Sequence, residues 1–370
     1  MKTVLILGGS YGGVSVAHKL LKQAPKTGDV KVILVSKSTH LYFNLATPRA
    51  IIPGQFADEK FFQALAPGFK QYGSKFELVI GTAEKLDVAA KNVVVSGGLG
   101  DKIISYDELV LATGSSTRGD VPWKARGSYE ATRDAIHDFQ ARVKKASSIV
   151  VGGAGSTGVE TAGELGFEYG KVKQITLISS GAQILEGTPA SVSKTATKKL
   201  KSLNVTIKPS TKILGSATTP DGRTELTLSD GQKMIVDLYL PTAGLIPNSA
   251  YVPQEFLNQN GYVVVDEFLQ VQGTKNVWAV GDISAVQRPQ FVVTAKQAAH
   301  ASKNIGLLHQ GKPLVPYKKD EKDLMMIPVG RKAGTGHMGN MKFPSFMVTM
   351  VKGKSYFTQT MGPLVDGSSL

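Results

Sequence analysis

The chain has no cysteine among its 370 residues. That absence removes disulfides, thiolate metal sites, cysteine nucleophiles and CxxC redox centres together, so any redox chemistry must belong to a bound cofactor. Long apolar runs are missing as well. No stretch of about 18 apolar residues occurs, so no membrane-spanning helix is expected. Acidic residues are scarce beside basic ones, 29 against 43, and the formal charge of +14 favours anionic partners such as phosphates, acidic lipid or nucleic acid. A basic surface that is merely solvated fits the same numbers. The start "MKTVLILGGS" reads as a first strand running into a glycine turn rather than a signal peptide, and Lys2 stands where myristoylation would need glycine.

What is present is ordinary for a soluble α/β protein: 42% hydrophobic residues, 19% charged residues and 40 glycines, on a length that suits two domains. Glycine is placed tellingly. "TVLILGG" is an apolar run ending in glycine, "VSVAHKLLKQ" follows at helical spacing, and "VKVILVS" supplies a second β-branched run. This strand, turn, helix and strand form a β-α-β unit with its turn at Gly8, Ser10 and Gly13. In such a unit the first glycine allows the turn, the second lets backbone approach a pyrophosphate, and the third lets helix pack on strand. Ser10 takes the place of the middle glycine. A second unit, "SSIVVGGAGSTGVETAGE" with "QITLISS" after it, carries the complete motif at Gly153, Gly155 and Gly158. One such motif is weak, but two in the required strand-turn-helix setting point to two nucleotide sites.

The acid that ends the second strand and bonds the adenosine ribose is absent from both units. Ser36 holds its place in the first, Ser179 with Ser180 in the second. A missing carboxylate removes repulsion toward a 2′-phosphate, so NADPH is expected within about tenfold of NADH. Between and after the units lie "DELVLATGSS" with Thr113 and Gly114, "VDLYLPTAGLIPN" with Gly244, and "TKNVWAVGDIS" with Asp282.

Five motifs in this order resemble the glutathione-reductase-fold flavoproteins. Within them the chain is similar to the apoptosis-inducing-factor-like group that includes ferroptosis suppressor protein and fungal relatives, on "GVETAGE", "LPTAGLIPNS" and "IPVGRKAGTGHM". The resemblance implies an α/β fold with two Rossmann-like dinucleotide-binding domains of glutathione-reductase type and a C-terminal α+β segment. FAD would lie on residues 1–120 and 252–320, NADH or NADPH on 121–251, and residues 321–370 would cover the flavin or touch membrane. It implies that Asp282 bonds the flavin ribityl chain or pyrophosphate, that Glu160 lies near the nicotinamide and that Lys296 lies near the flavin. Arg49 is expected beside the isoalloxazine, and Glu164 in helical packing or solvent.

Hydride transfer between stacked rings needs placement and electrostatics rather than a general base. Disulfide reductases of this fold carry a cysteine pair where this chain has "THLYFNLATPRAI", so the expected acceptor is a quinone or another small molecule that meets the flavin directly. Other readings stay open: a pathway-specific flavin oxidase or monooxygenase, and a basic nucleic-acid-binding flavoprotein. Residues 312–354 hold nine Lys and Arg against three Asp and Glu among apolar runs, which fits either a peripheral membrane contact or a solvated hairpin. The expected location is intracellular, cytoplasmic or peripheral to a membrane such as the mitochondrial outer surface or a lipid droplet. Removal of residues 325–370 is expected to leave FAD binding largely intact.

Overall fold

A computed structural model describes residues 1–370 other than 99, 285 and 321. Strand Lys2–Leu7 is apolar on both faces and lies at the centre of a five-stranded parallel sheet. Val30–Ser36 and then Phe76–Ile80 flank it on one side, Glu108–Leu111 and then Val277–Ala279 on the other. Side-chain alternation sorts the strand between two cores. Val4 and Ile6 pack with Val14, Leu20, Ala298 and Ile305 of the helices Tyr11–Thr27 and Phe291–His309, which also pack on each other. Leu5 and Leu7 face the opposite way, toward Leu86, Val93 and Val95 of an antiparallel sheet, Thr82–Asp87, Asn92–Ser96 and Lys102–Ser105.

The second unit repeats the plan with four parallel strands, in the order Val205–Lys208, Gln174–Ile178, Ser148–Gly152 and Leu238–Pro241. In each sheet the first strand of the unit has neighbours on both sides, so the strand order reverses where its glycine turn begins. Such a reversal opens a crevice at the carboxyl ends of the strands, the place where α/β sheets take ligands. Two chain crossings join the units, and they pair with each other as antiparallel strands, Ser115–Thr117 with Leu245–Pro247. Asn248 ties this ribbon to the first sheet, since its Nδ2 donates to the Thr113 carbonyl and the Thr113 hydroxyl donates to its own (both 2.8 Å).

The C-terminal segment folds as three antiparallel strands, Leu324–Pro328, Gly334–Met338 and Met341–Lys342, followed by short helical turns. Its place corrects the expectation of a removable cover. Met325, Ile327, Tyr356, Met361, Leu364 and Val365 are buried in the same core as the first sheet and the second glycine helix. No helix among the described residues is long and apolar enough to cross a membrane.

Candidate active site

The two glycine turns have the same construction. Gly8 and Gly153 take φ of +119° and +109°, a conformation that favours glycine. Each donates its N–H to the second strand of its unit, Gly8 to the Val35 carbonyl (2.8 Å) and Gly153 to that of Ile178 (3.0 Å). A Cβ on Gly13 would overlap the carbonyl oxygen of Gly8, and one on Gly158 that of Gly153. Only glycine lets helix and turn approach so closely. The middle positions differ in demand: Ser10 and Gly155 are the helix N-caps with ordinary φ of −115° and −73°, and neither makes a side-chain cap. Serine is therefore accommodated at position 10. Both helices, Tyr11–Thr27 and Ser156–Tyr169, keep uncapped N–H groups and a positive dipole end for a phosphate.

One cleft of about 1120 Å³ joins the units. Its lining runs from Ser36 and Gly81–Glu84, past Gly8–Gly12, Thr113, Gly114 and Asp282, to Thr157, Glu160 and Lys352. That exceeds the roughly 300–1,000 Å³ of an ordinary small-molecule pocket and suits an extended dinucleotide. Asn44, Leu45 and Pro48, from the stretch where disulfide reductases carry cysteines, lie in its wall. Asp282 Oδ2 accepts from Ser115 Oγ (2.8 Å) and Lys124 Nζ (2.7 Å), and both partners line the cleft. Lys124 thus holds the charge of Asp282 in place, a role no spacing in the sequence announces. Ser36 donates its hydroxyl to the Ser38 carbonyl (2.7 Å) and accepts from the Ser38 N–H (3.2 Å), which leaves one lone pair of its oxygen for a ribose hydroxyl.

At the far end two buried ion pairs meet on helix Ser156–Tyr169, one from Lys352 of the C-terminal segment and one from Arg49, which also binds that segment's carbonyls. Lys352 Nζ donates to Glu160 Oε1 (2.6 Å) and to the Met326 carbonyl (3.3 Å). Burial pushes the Glu160 carboxyl above its usual range, and the Lys352 ammonium offsets part of that rise. Arg49 donates to both oxygens of Glu164 (2.9 and 2.8 Å) and to the carbonyls of Gly353 and Lys354 (2.7 and 2.8 Å). Burial raises the Tyr356 phenol far above its usual value, and its hydroxyl donates to Glu164 (3.3 Å).

Several expected site residues stand elsewhere. Arg49 is not in the cleft wall; its planar fork is spent on Glu164 and two carbonyls, so it anchors the C-terminal segment rather than a flavin ring. Glu164 is correspondingly buried as an ion-pair partner, not solvated. Lys296 lies off the buried stripe of its helix, 56% exposed, and pairs with Asp320 (2.5 Å) outside the cleft. Ser179 is buried and gives its hydroxyl to the Gln183 carbonyl (3.0 Å). Gly244 turns the second crossing at φ +87° and does not line the cleft, although its neighbours Ala243 and Leu245 do. Lys352 escaped the sequence reading, because nothing in "MVKGKSYF" is periodic; Thr349–Gly353 forms a wide helical turn, and Tyr356 and Phe357 follow with φ of +52° and +62°.

Paired parallel sheets, twin glycine turns and a shared cleft define a two-nucleotide oxidoreductase. The chain belongs to the pyridine nucleotide-disulphide oxidoreductase family, which it matches over residues 2–299. It is 49% identical to the oxidoreductase ptaL of Pestalotiopsis fici over the whole of both chains. It is 28% identical to ferroptosis suppressor protein 1 of Homo sapiens, over 96% of this chain and 94% of that protein, which bears out the resemblance to that group and its fungal relatives. The sulfide:quinone oxidoreductase of Aquifex aeolicus has the same fold, with a TM-score of 0.81 at 18% identity over 98% of this chain and 92% of that one. FAD and NAD(P)H are its cofactors.

Proposed function

We propose that the protein passes electrons from NAD(P)H through FAD to a quinone-like acceptor that meets the flavin directly. The observation that carries this reading is the continuous cleft from the first glycine turn to Glu160 and Lys352, in a chain with no cysteine to relay electrons. Bound FAD supplies the ring that takes a hydride and passes electrons on. Gly8, Ser10 and the N-terminus of helix Tyr11–Thr27 would hold its pyrophosphate, and Asp282, fixed by Ser115 and Lys124, would accept from its ribityl hydroxyls. Gly153, Gly155 and Gly158 would hold the nicotinamide nucleotide. Glu160 would then stand where positive charge develops on the nicotinamide as hydride leaves, with Lys352 fixing its position. Phe291, Val292, Met326 and Phe357 give the acceptor an apolar wall.

The relatives support the acceptor class by name, since the Aquifex aeolicus structure is a sulfide:quinone oxidoreductase. A peripheral membrane contact, at an intracellular membrane holding the quinone, is part of the same reading. It rests on Phe346, Met350 and Met341, which are 71, 61 and 56% exposed in a segment that also carries Lys322, Lys332 and Lys342. A second reading, a pathway-specific oxidase or monooxygenase, is favoured by the 49% identity to a fungal oxidoreductase against 28% to ferroptosis suppressor protein 1.

Anaerobic spectroscopy separates the two. Yellow protein should be bleached by NADH and recoloured by a short-chain quinone, and it should sediment with anionic liposomes until salt is added. Reoxidation by dioxygen alone, with quinone inert, would instead support the oxidase reading.

A further inference from the structure

The strand of the second unit ends in serines, yet the chain returns a carboxylate to that place. Beyond Ser179 the backbone folds over the end of the sheet, and three bonds fix its path. Ser179 Oγ donates to the Gln183 carbonyl (3.0 Å), Ser210 N–H to that of Gly181 (2.9 Å), and Leu185 N–H to that of Ala154 (2.8 Å), the residue between Gly153 and Gly155. Leu185 is buried and left-handed, with φ of +56°, so the chain reverses at the glycine turn itself. Glu186 comes next. A Cβ on Gly181 would lie 2.5 Å from both of its carboxylate oxygens, so the carboxylate rests against bare backbone three residues past the end of strand Gln174–Ile178. It has no hydrogen-bond or ion-pair partner among the described residues.

We infer that Glu186 is the ribose-binding and specificity-determining residue of the nicotinamide nucleotide site, accepting from the adenosine 2′ and 3′ hydroxyls of NADH and repelling the 2′-phosphate of NADPH. The inference rests on the assignment of the second unit to that nucleotide. In the general pattern this carboxylate sits on the strand end, one turn away from the pyrophosphate at the helix N-terminus. Here the loop supplies it from seven positions further along, held to the glycine turn through Leu185 and admitted by Gly181. The nearby cation Lys208 is engaged by Asp230 (3.0 Å) and Gln232 (2.8 Å). The expectation of near-equal use of NADPH, drawn from Ser179 and Ser180, is therefore reversed.

Calorimetry on the FAD-loaded protein with ADP-ribose and 2′-phospho-ADP-ribose tests this without turnover. Wild type should bind ADP-ribose at least about tenfold more tightly, equivalent to about 1.4 kcal/mol. Glu186→Gln should bring the two within about threefold, and Gly181→Ala, which displaces the carboxylate while keeping it, should move the ratio the same way. Equal affinities in wild type, or a ratio that Glu186→Gln leaves unchanged, would overturn the role of Glu186. Gly155→Asp should abolish binding of both ligands. If it does not, the second unit is not their site, and the inference falls with that assignment.

Discussion

Glu160 and Lys352 meet from elements 192 positions apart in the sequence, and their contact decides the electrostatics of the cleft end. Burial alone would keep the Glu160 carboxyl protonated well above the usual carboxylate range of about 4.3; the ammonium moderates that shift without cancelling it. As pH climbs through the raised value Glu160 ionises, and in its proposed place it would favour the positive charge that develops as hydride leaves. Flavin reduction by NADH should therefore accelerate through an inflection above the ordinary carboxylate range, and Glu160→Gln should flatten it. The linkage to stability has the opposite sign: a raised folded pKa adds stability that is full below the unfolded value and is lost as pH rises through the folded one. Stopped-flow profiles of the two proteins decide the point, because an inflection that survives in Glu160→Gln belongs to another group.

Among the elements, the C-terminal segment is the one whose role the structure changes. Its residues fill the core beneath the second glycine helix and supply the backbone carbonyls that receive Arg49. Deletion of 325–370 should thus abolish the folded, flavin-binding protein, and Arg49→Ala should cost about 3–5 kcal/mol because Glu164 is left buried and unpaired. Thermal melts and flavin content measure both; a soluble truncated protein with full flavin would contradict the packing described above. The strands and helices around the glycine turns were legible because local pattern specifies them: apolar runs ending in Gly8 and Gly153, then helical spacing. Arg49, Lys352 and Glu186 were not, since each acts through a contact set by a distant turn. Lys296 shows the converse: motif position placed it near the cofactor, while its helix turns it to solvent.

On the scale of the whole molecule, the two units are copies of one plan brought to a single cleft by the paired crossings Ser115–Thr117 and Leu245–Pro247. On the proposed reading that arrangement separates tasks: the first turn would retain FAD, the second would admit and release the electron donor, and Glu160 would stand where the two meet. The division can be tested with one substitution, because a Cβ on Gly155 meets no atom within 4 Å and its φ of −73° suits any residue. Gly155→Asp should fold, retain a full complement of FAD and remain reducible by dithionite. On the proposed assignment it would hold a carboxylate where the nucleotide pyrophosphate would lie. The most direct measurement is anaerobic stopped-flow reduction of this variant beside wild type: reduction by NADH should slow by orders of magnitude with dithionite reduction unchanged, whereas NADH reduction at the wild-type rate would contradict the assignment of the two units.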